Sequence, residues 1–190
     1  MIIAKRWVSL FTRLHLADAI PDPPGGTIQK FVPFYFAPRS PMLFAINAGN
    51  VNHFDLRQQD IIHLETTVSR VIQLNHSVVF YDRNATLAFS NAYTDINLLP
   101  SVVDWELITE HPALDGFCKY FQNRPSEPKY VDRMEKRQAE FLVKGHVPVT
   151  SFTKIGVINN EMADKVRIIL AKAGMNLAVE VKKDWYFLGQ

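Results

Sequence analysis

The sequence of 190 residues holds a single cysteine, Cys118, so an internal disulfide and a cysteine-rich zinc site are both excluded. That usage fits a reducing, cytoplasmic setting. No run of 18 apolar residues occurs, so the sequence offers no candidate membrane-spanning helix. The N-terminal "MIIAKRWVSLFTRLHL" is apolar and basic, but it has no clean apolar stretch followed by a small-residue cleavage site. It therefore does not read as a signal peptide. No G-x-G-x-x-G follows a strand and no G-x-x-x-x-G-K-[ST] is present, which excludes Rossmann and P-loop nucleotide sites. No serine lies in G-x-S-x-G. The histidines are scattered, none paired at i, i+4 around a carboxylate, so no metal is expected. The formal net charge of +2 does not by itself mark a nucleic-acid binder.

What is present is an ordinary globular composition, long enough for one domain over 1–190 with a sizeable core. A helix is expected over 3–16, stopped by "PDPPGG" at 21–26. "FVPFYF" at 31–36 reads as a buried strand, with Pro33 best placed at an edge or bulge. Ser40 and Pro41 suit the N-cap and first turn of a short helix. Further strands are expected in 60–68, 77–82, 139–145, 154–160 and 176–187, and helices in 68–74, 84–93, 104–111 and 161–174. Asp104 suits the N-cap of the 104–111 helix and Gly174 the C-cap of the 161–174 helix. The stretch 116–134 is long and irregular, as functional loops often are. Short strands and short helices that alternate irregularly, without repeats, point to a single α+β domain.

Chemistry-bearing residues each have two readings at this level. From Lys119 to Arg137 the chain carries Lys119, Arg124, Lys129, Arg133, Lys136 and Arg137, interleaved with Tyr120, Phe121 and Tyr130 and diluted by acids. That is a solvated loop, or a backbone-gripping and base-stacking surface for single-stranded nucleic acid. Arg39 packs on aromatics or faces a phosphate. His63 reads as a satisfied core or edge histidine, and Cys118 as a small buried hydrophobe. Glu140 opens the run "EFLV". On local pattern it is the last residue in water before a strand; the alternative is a catalytic group on a rigid edge.

Several motifs in order carry a resemblance: "FVPFYFAPRSPMLFAI" (31–46), "VVFYDRNATLAF" (78–89), "DWE" (104–106), "KRQAEFLV" (136–143) and "KKDWYF" (182–187). From Pro23 to the C-terminus the chain resembles the DarT family, bacterial toxins that transfer ADP-ribose from NAD onto single-stranded DNA. The resemblance implies an ADP-ribosyltransferase-like split mixed β-sheet with flanking short helices and an NAD cleft between its halves. It makes Glu140 the catalytic glutamate, with thymine the commonest target base. It makes Arg13, His15 and Phe44 candidates for contact with NAD. It directs Arg39, Arg83, Lys119, Tyr120, Arg133, Lys136 and Arg137 toward DNA. A macrodomain antitoxin of the DarG type is the implied partner. The family's first strand, with its His-x-Thr motif, has no counterpart before Pro23. The resemblance therefore implies a shortened or divergent N-terminus, whose open sheet edge would favour a homodimer. The alternative is a catalytically impaired homologue that binds nucleic acid or a partner.

Overall fold

A computed structural model describes residues 2–4, 19–21, 23–52, 54–110 and 122–187. The described strands form one eight-stranded sheet: β1 (Ile2–Ala4), β2 (Phe31–Tyr35), β3 (His63–Thr66), β4 (Val78–Tyr81), β5 (Ala92–Tyr93), β6 (Glu140–Lys144), β7 (Lys154–Val157) and β8 (Ala178–Val181). Their spatial order is β5-β4-β6-β2-β1-β3-β7-β8. All pairings are antiparallel except β7 with β8. Among the described residues six helices flank it: α1 (Pro41–Asn47), α2 (Val68–Ile72), α3 (Leu99–Val102), α4 (Trp105–Thr109), α5 (Arg133–Lys136) and α6 (Asn160–Lys172). The mixed sheet and short helices match the expected α+β class.

Alternation along β2, β4 and β6 sorts side chains onto two faces. Phe34, Phe80, Phe141 and Val143 point into one buried cluster with Phe36. The Phe80 and Phe141 rings stack at 6.5 Å, and Phe36 meets Phe141 edge-on at 6.3 Å. Burying each such ring contributes about 1.5–3 kcal/mol. The opposite face carries Phe31, Val79, Tyr81 and Leu142 against Ile20 and Ile28. Leu142 lies opposite both Pro33 and Val79, so the two pairings fix β6 between its neighbours in a single register. β2 lies between β6 and β1, so Pro33 is not on an edge strand as expected; it stands opposite Leu142 of β6, and the described residues of β1 pair with Phe34 and Tyr35.

Several local signals hold. Ser40 accepts from the Leu43 N–H at 3.2 Å, with Pro41 in the first turn of α1. Asp104 caps α4 through the Leu107 N–H at 3.2 Å. Gly174, just past α6, takes φ 64°, a left-handed turn that glycine adopts without Cβ strain.

Three expectations change. The chain was expected to lack the fold's first strand, yet Ile2–Ala4 pairs between β2 and β3. The gap that favoured a homodimer is thus closed at that point, because three residues suffice to bridge the two ladders. Residues 5–18 of the expected first helix lie outside the described residues. The helix expected over 84–93 is a turn-rich loop ending in β5. Asn84 binds its own chain, accepting from the Thr86 N–H at 3.0 Å and the Thr86 hydroxyl at 2.6 Å, which competes with helical bonding. The last strand stops at Val181 and gives way to a tight turn at Lys183–Trp185.

Candidate active site

Three strand ends meet at one margin of the sheet: the C-termini of β2 and β4 and the N-terminus of β6, which runs antiparallel between them. Glu140 is the first residue of β6 and lies opposite Tyr35 on one side and Tyr81 on the other. Side chains so opposed share a face, about 4.5–5.5 Å apart at Cβ. Glu140 is 0% exposed, and Tyr35 and Tyr81 are buried beside it. It is therefore not the last wet residue before the strand, because neighbouring strands and the loop after β4 close over it.

A buried carboxylate must be met by donors or its burial costs several kcal/mol. The Ala85 N–H donates to Oε2 at 3.0 Å, and the Asn84 Nδ2 amide donates to Oε1 at 3.4 Å. The Asn84 amide is oriented by Thr86, whose two donors claim Oδ1 and turn Nδ2 toward Glu140. The loop 82–91 is closed at its base. The Asn91 N–H donates to Asp82 Oδ1 at 2.9 Å, the Asn91 amide to Oδ2 at 3.2 Å, and the Ser90 hydroxyl to the Asn84 carbonyl at 2.5 Å. Such a support holds a buried carboxylate in one orientation. Sequence reasoning missed Asn84, Ala85, Tyr35 and Tyr81 as its surroundings. The "DRNA" directly after a strand was the available signal, but only the strand register shows that it reaches Glu140.

The basic residues before Glu140 divide. Arg133 and Arg137 were expected to face nucleic acid, and the structure instead places them inside, 3% and 5% exposed. Arg133 Nη2 donates to Glu110 at 2.6 Å, and its guanidinium lies 4.1 Å from the centre of the Tyr130 ring. Arg137 Nη1 donates to the Leu107 carbonyl and, at 3.4 Å, to that of Ile108. These are carbonyls at the end of α4, where a short helix leaves carbonyls to be met from outside it. Glu110 also accepts from the Tyr130 hydroxyl at 2.7 Å. Burial raises the Glu110 carboxyl, but Tyr130, Arg133 and Lys129 outweigh that and hold it below its usual range. Arg83 bridges Asp82, at 2.5 Å, and Asp132, so the loop after β4 is tied to the segment before β6. Lys136 pairs with Asp104 at 3.3 Å and Asp132 at 3.2 Å.

Arg39 is buried, on the turn after β2, and lines a cleft of about 150 Å³ with Phe36, Glu110, Arg137, Asp184 and Trp185. Phe44 is half-buried and meets Phe187 edge-on at 5.7 Å. His63 is a core histidine. Its Nε2–H donates to the Pro38 carbonyl at 3.2 Å, and its ring meets Tyr186 edge-on at 4.7 Å. Arg13, His15, Lys119, Tyr120 and Cys118 lie outside the described residues. Among the described residues, no cluster of three His, Cys, Asp or Glu could hold a metal, and no helix is long and apolar enough to cross a membrane.

Comparison with known proteins places this margin in context. The family model described as "ssDNA thymidine ADP-ribosyltransferase, DarT" matches residues 12–187. A solved structure of Thermus sp. 2.9 DarT in complex with NAD+ superposes with a TM-score of 0.76 at 32% identity, covering 89% of this chain and 78% of that one. The same Thermus protein in complex with ADP-ribosylated ssDNA gives 0.74, covering 89% and 74%. A DNA ADP-ribosyl transferase of Escherichia coli O127:H6 is 26% identical over 191 residues, 98% of this chain and 82% of its own length. With nearly the whole chain inside one family model, and the fold shared with a relative at 32% identity, this protein belongs to the DarT family of ADP-ribosyltransferases.

Proposed function

We propose that this protein transfers one ADP-ribose from NAD onto a base, thymine, in single-stranded DNA, and that it is the cytoplasmic toxin of a toxin–antitoxin pair with a macrodomain antitoxin of the DarG type. The observation that carries the proposal is Glu140: a fully buried carboxylate at the first position of a central strand, met by the Asn84 amide and the Ala85 N–H, in a chain of this family. NAD is the co-substrate on this reading, which the structure of the Thermus relative in complex with NAD+ supports.

The chemistry asks for such a group. The bond between ribose C1′ and the nicotinamide nitrogen breaks through an oxocarbenium-like state, as in glycoside hydrolysis. Glu140 faces the positive charge that develops there and holds the ribose hydroxyls by accepting their hydrogen bonds. As the base nitrogen bonds to C1′, Glu140 removes its proton. Nicotinamide leaves with the bonding pair. Arg13, His15 and Phe44 are assigned to NAD. Arg39, Arg83, Lys119, Tyr120 and Lys136 are assigned to the DNA strand. A base in a single strand is already unstacked, so little energy goes into extracting it.

Incubation with NAD and mixed-sequence oligonucleotides, read by mass spectrometry, should show one added ADP-ribose on thymine-containing strands. Glu140→Gln keeps the shape and an acceptor for the Ala85 N–H but cannot take the proton. It should lower adduct formation by about 10²–10³-fold. No adduct with any oligonucleotide, together with no NAD binding, rejects the proposal. Retained activity in Glu140→Gln rejects the carboxylate.

A further inference from the structure

Loop 82–91 has two ends with different surroundings. Its inner end, Asn84 and Ala85, holds the Glu140 carboxylate. Its outer end presents Phe89, which is 59% exposed. Phe89 is not a loose apolar residue of the kind every surface carries. The loop is fixed at its base through Asp82, Ser90 and Asn91, and the Arg83 guanidinium lies 5.8 Å from the centre of the Phe89 ring. Arg83 is itself held by Asp82 and Asp132. The ring is thus backed by a cation on a fixed loop, with more than half of the residue's surface in water. Two more exposed apolar residues, Val131 and Met134, flank Asp132 across that bridge.

We propose that Phe89 is a stacking platform for an unpaired base a few nucleotides from the modified one, so that it sets the register of the strand over Glu140. This rests on the single-stranded DNA reading above. Phe89 lies four positions after Ala85, a span of at most about 14 Å. That is the reach of a few nucleotides, at about 3.4 Å each when stacked. An aromatic face accepts any base, and a nearby arginine adds to the attraction. The assignment differs in kind from the phosphate contacts expected of the basic residues. It predicts affinity lost without a change in salt dependence.

The test uses the full chain with NAD and a single-stranded oligonucleotide of varied concentration. Stacking on one aromatic contributes about 1–3 kcal/mol, so Phe89→Ala should raise the oligonucleotide KM by about 5- to 150-fold. The shift should fall on KM rather than kcat, and Phe89→Trp should restore it to within about threefold, since any flat ring can stack. Ile169→Ala, at a 64% exposed position on α6, serves as the control and should leave KM unchanged. A Phe89→Ala KM within twofold of the parent, or an equal shift in the control, overturns the proposal. If the parent forms no adduct, the functional reading fails separately, and oligonucleotide binding by fluorescence anisotropy still compares Phe89→Ala with the parent. Equal binding, or none by either, then overturns the platform.

Discussion

Arg137 was read from sequence as a DNA contact and lies instead against the end of α4, three residues before Glu140. Replacing it by Met separates those roles. Met keeps the apolar stem but removes the donors, leaving the carbonyls of Leu107 and Ile108 without them in a buried setting. A hydrogen bond from a charged donor contributes about 1.5–3 kcal/mol, and a stranded buried acceptor costs about 1–3 kcal/mol. Removing a guanidinium that was itself costly to desolvate offsets part of this. A net loss of about 3 kcal/mol is expected. For a chain of this size each kcal/mol shifts Tm by about 2–4 °C, so Arg137→Met should unfold about 6–12 °C earlier by circular dichroism. Oligonucleotide affinity, measured across salt concentrations well below the new Tm, should keep its slope, because no phosphate contact is lost. A slope shallower by about one unit, with Tm within 2 °C of the parent, would place the guanidinium on DNA and refute the reasoning.

Two further outcomes follow from the site and its surroundings. Asn84→Ala removes one of the donors to Glu140 and leaves the Ala85 N–H in place; kcat for adduct formation should drop about tenfold with Tm shifted by no more than a few degrees, and an unchanged kcat would mean that the Asn84 amide is dispensable. Burial pushes the His63 imidazole down to about 4, against the opposing pull of the Pro38 carbonyl. Unfolded chains bind its proton near 6.5, so stability should fall as pH drops from 6.5 toward 4. His63→Phe keeps the edge contact with Tyr186 and should flatten that limb in urea titrations, whereas an unaltered slope would assign the pH dependence elsewhere.

The elements most legible in the sequence were those set by local rules. Ser40, Asp104 and Gly174 mark helix ends because capping needs only a short side chain or a left-handed turn within a few residues. The run from Glu140 to Lys144 reads as a strand because β-branched and aromatic residues leave little choice. The 84–93 stretch failed for a local reason too: its apolar spacing suits a helix, but Asn84 and Ser90 close a loop that also serves Glu140. β1 was missed because three residues carry no periodicity. The burial of Glu140, Arg133 and Arg137 was beyond local reasoning. A charged side chain is placed inside by a partner distant in the chain, here Ala85, Glu110 and the carbonyls of α4. The resemblance pointed to Glu140; only the register of β2, β4 and β6 revealed its neighbours.

The ion pair between Glu110 and Arg133 has a consequence for how α5 is seated. On one side Glu110 holds Tyr130 and Arg133; on the other Asn123 holds Glu135, at 2.8 Å, and the Met134 N–H. A third grip comes from the loop after β4, where Arg83 holds Asp132. Three separate segments of chain thus fasten α5 and its cap directly before β6. Any one grip can be lost while two remain, so the entry into β6 tolerates single substitutions in this belt better than paired ones.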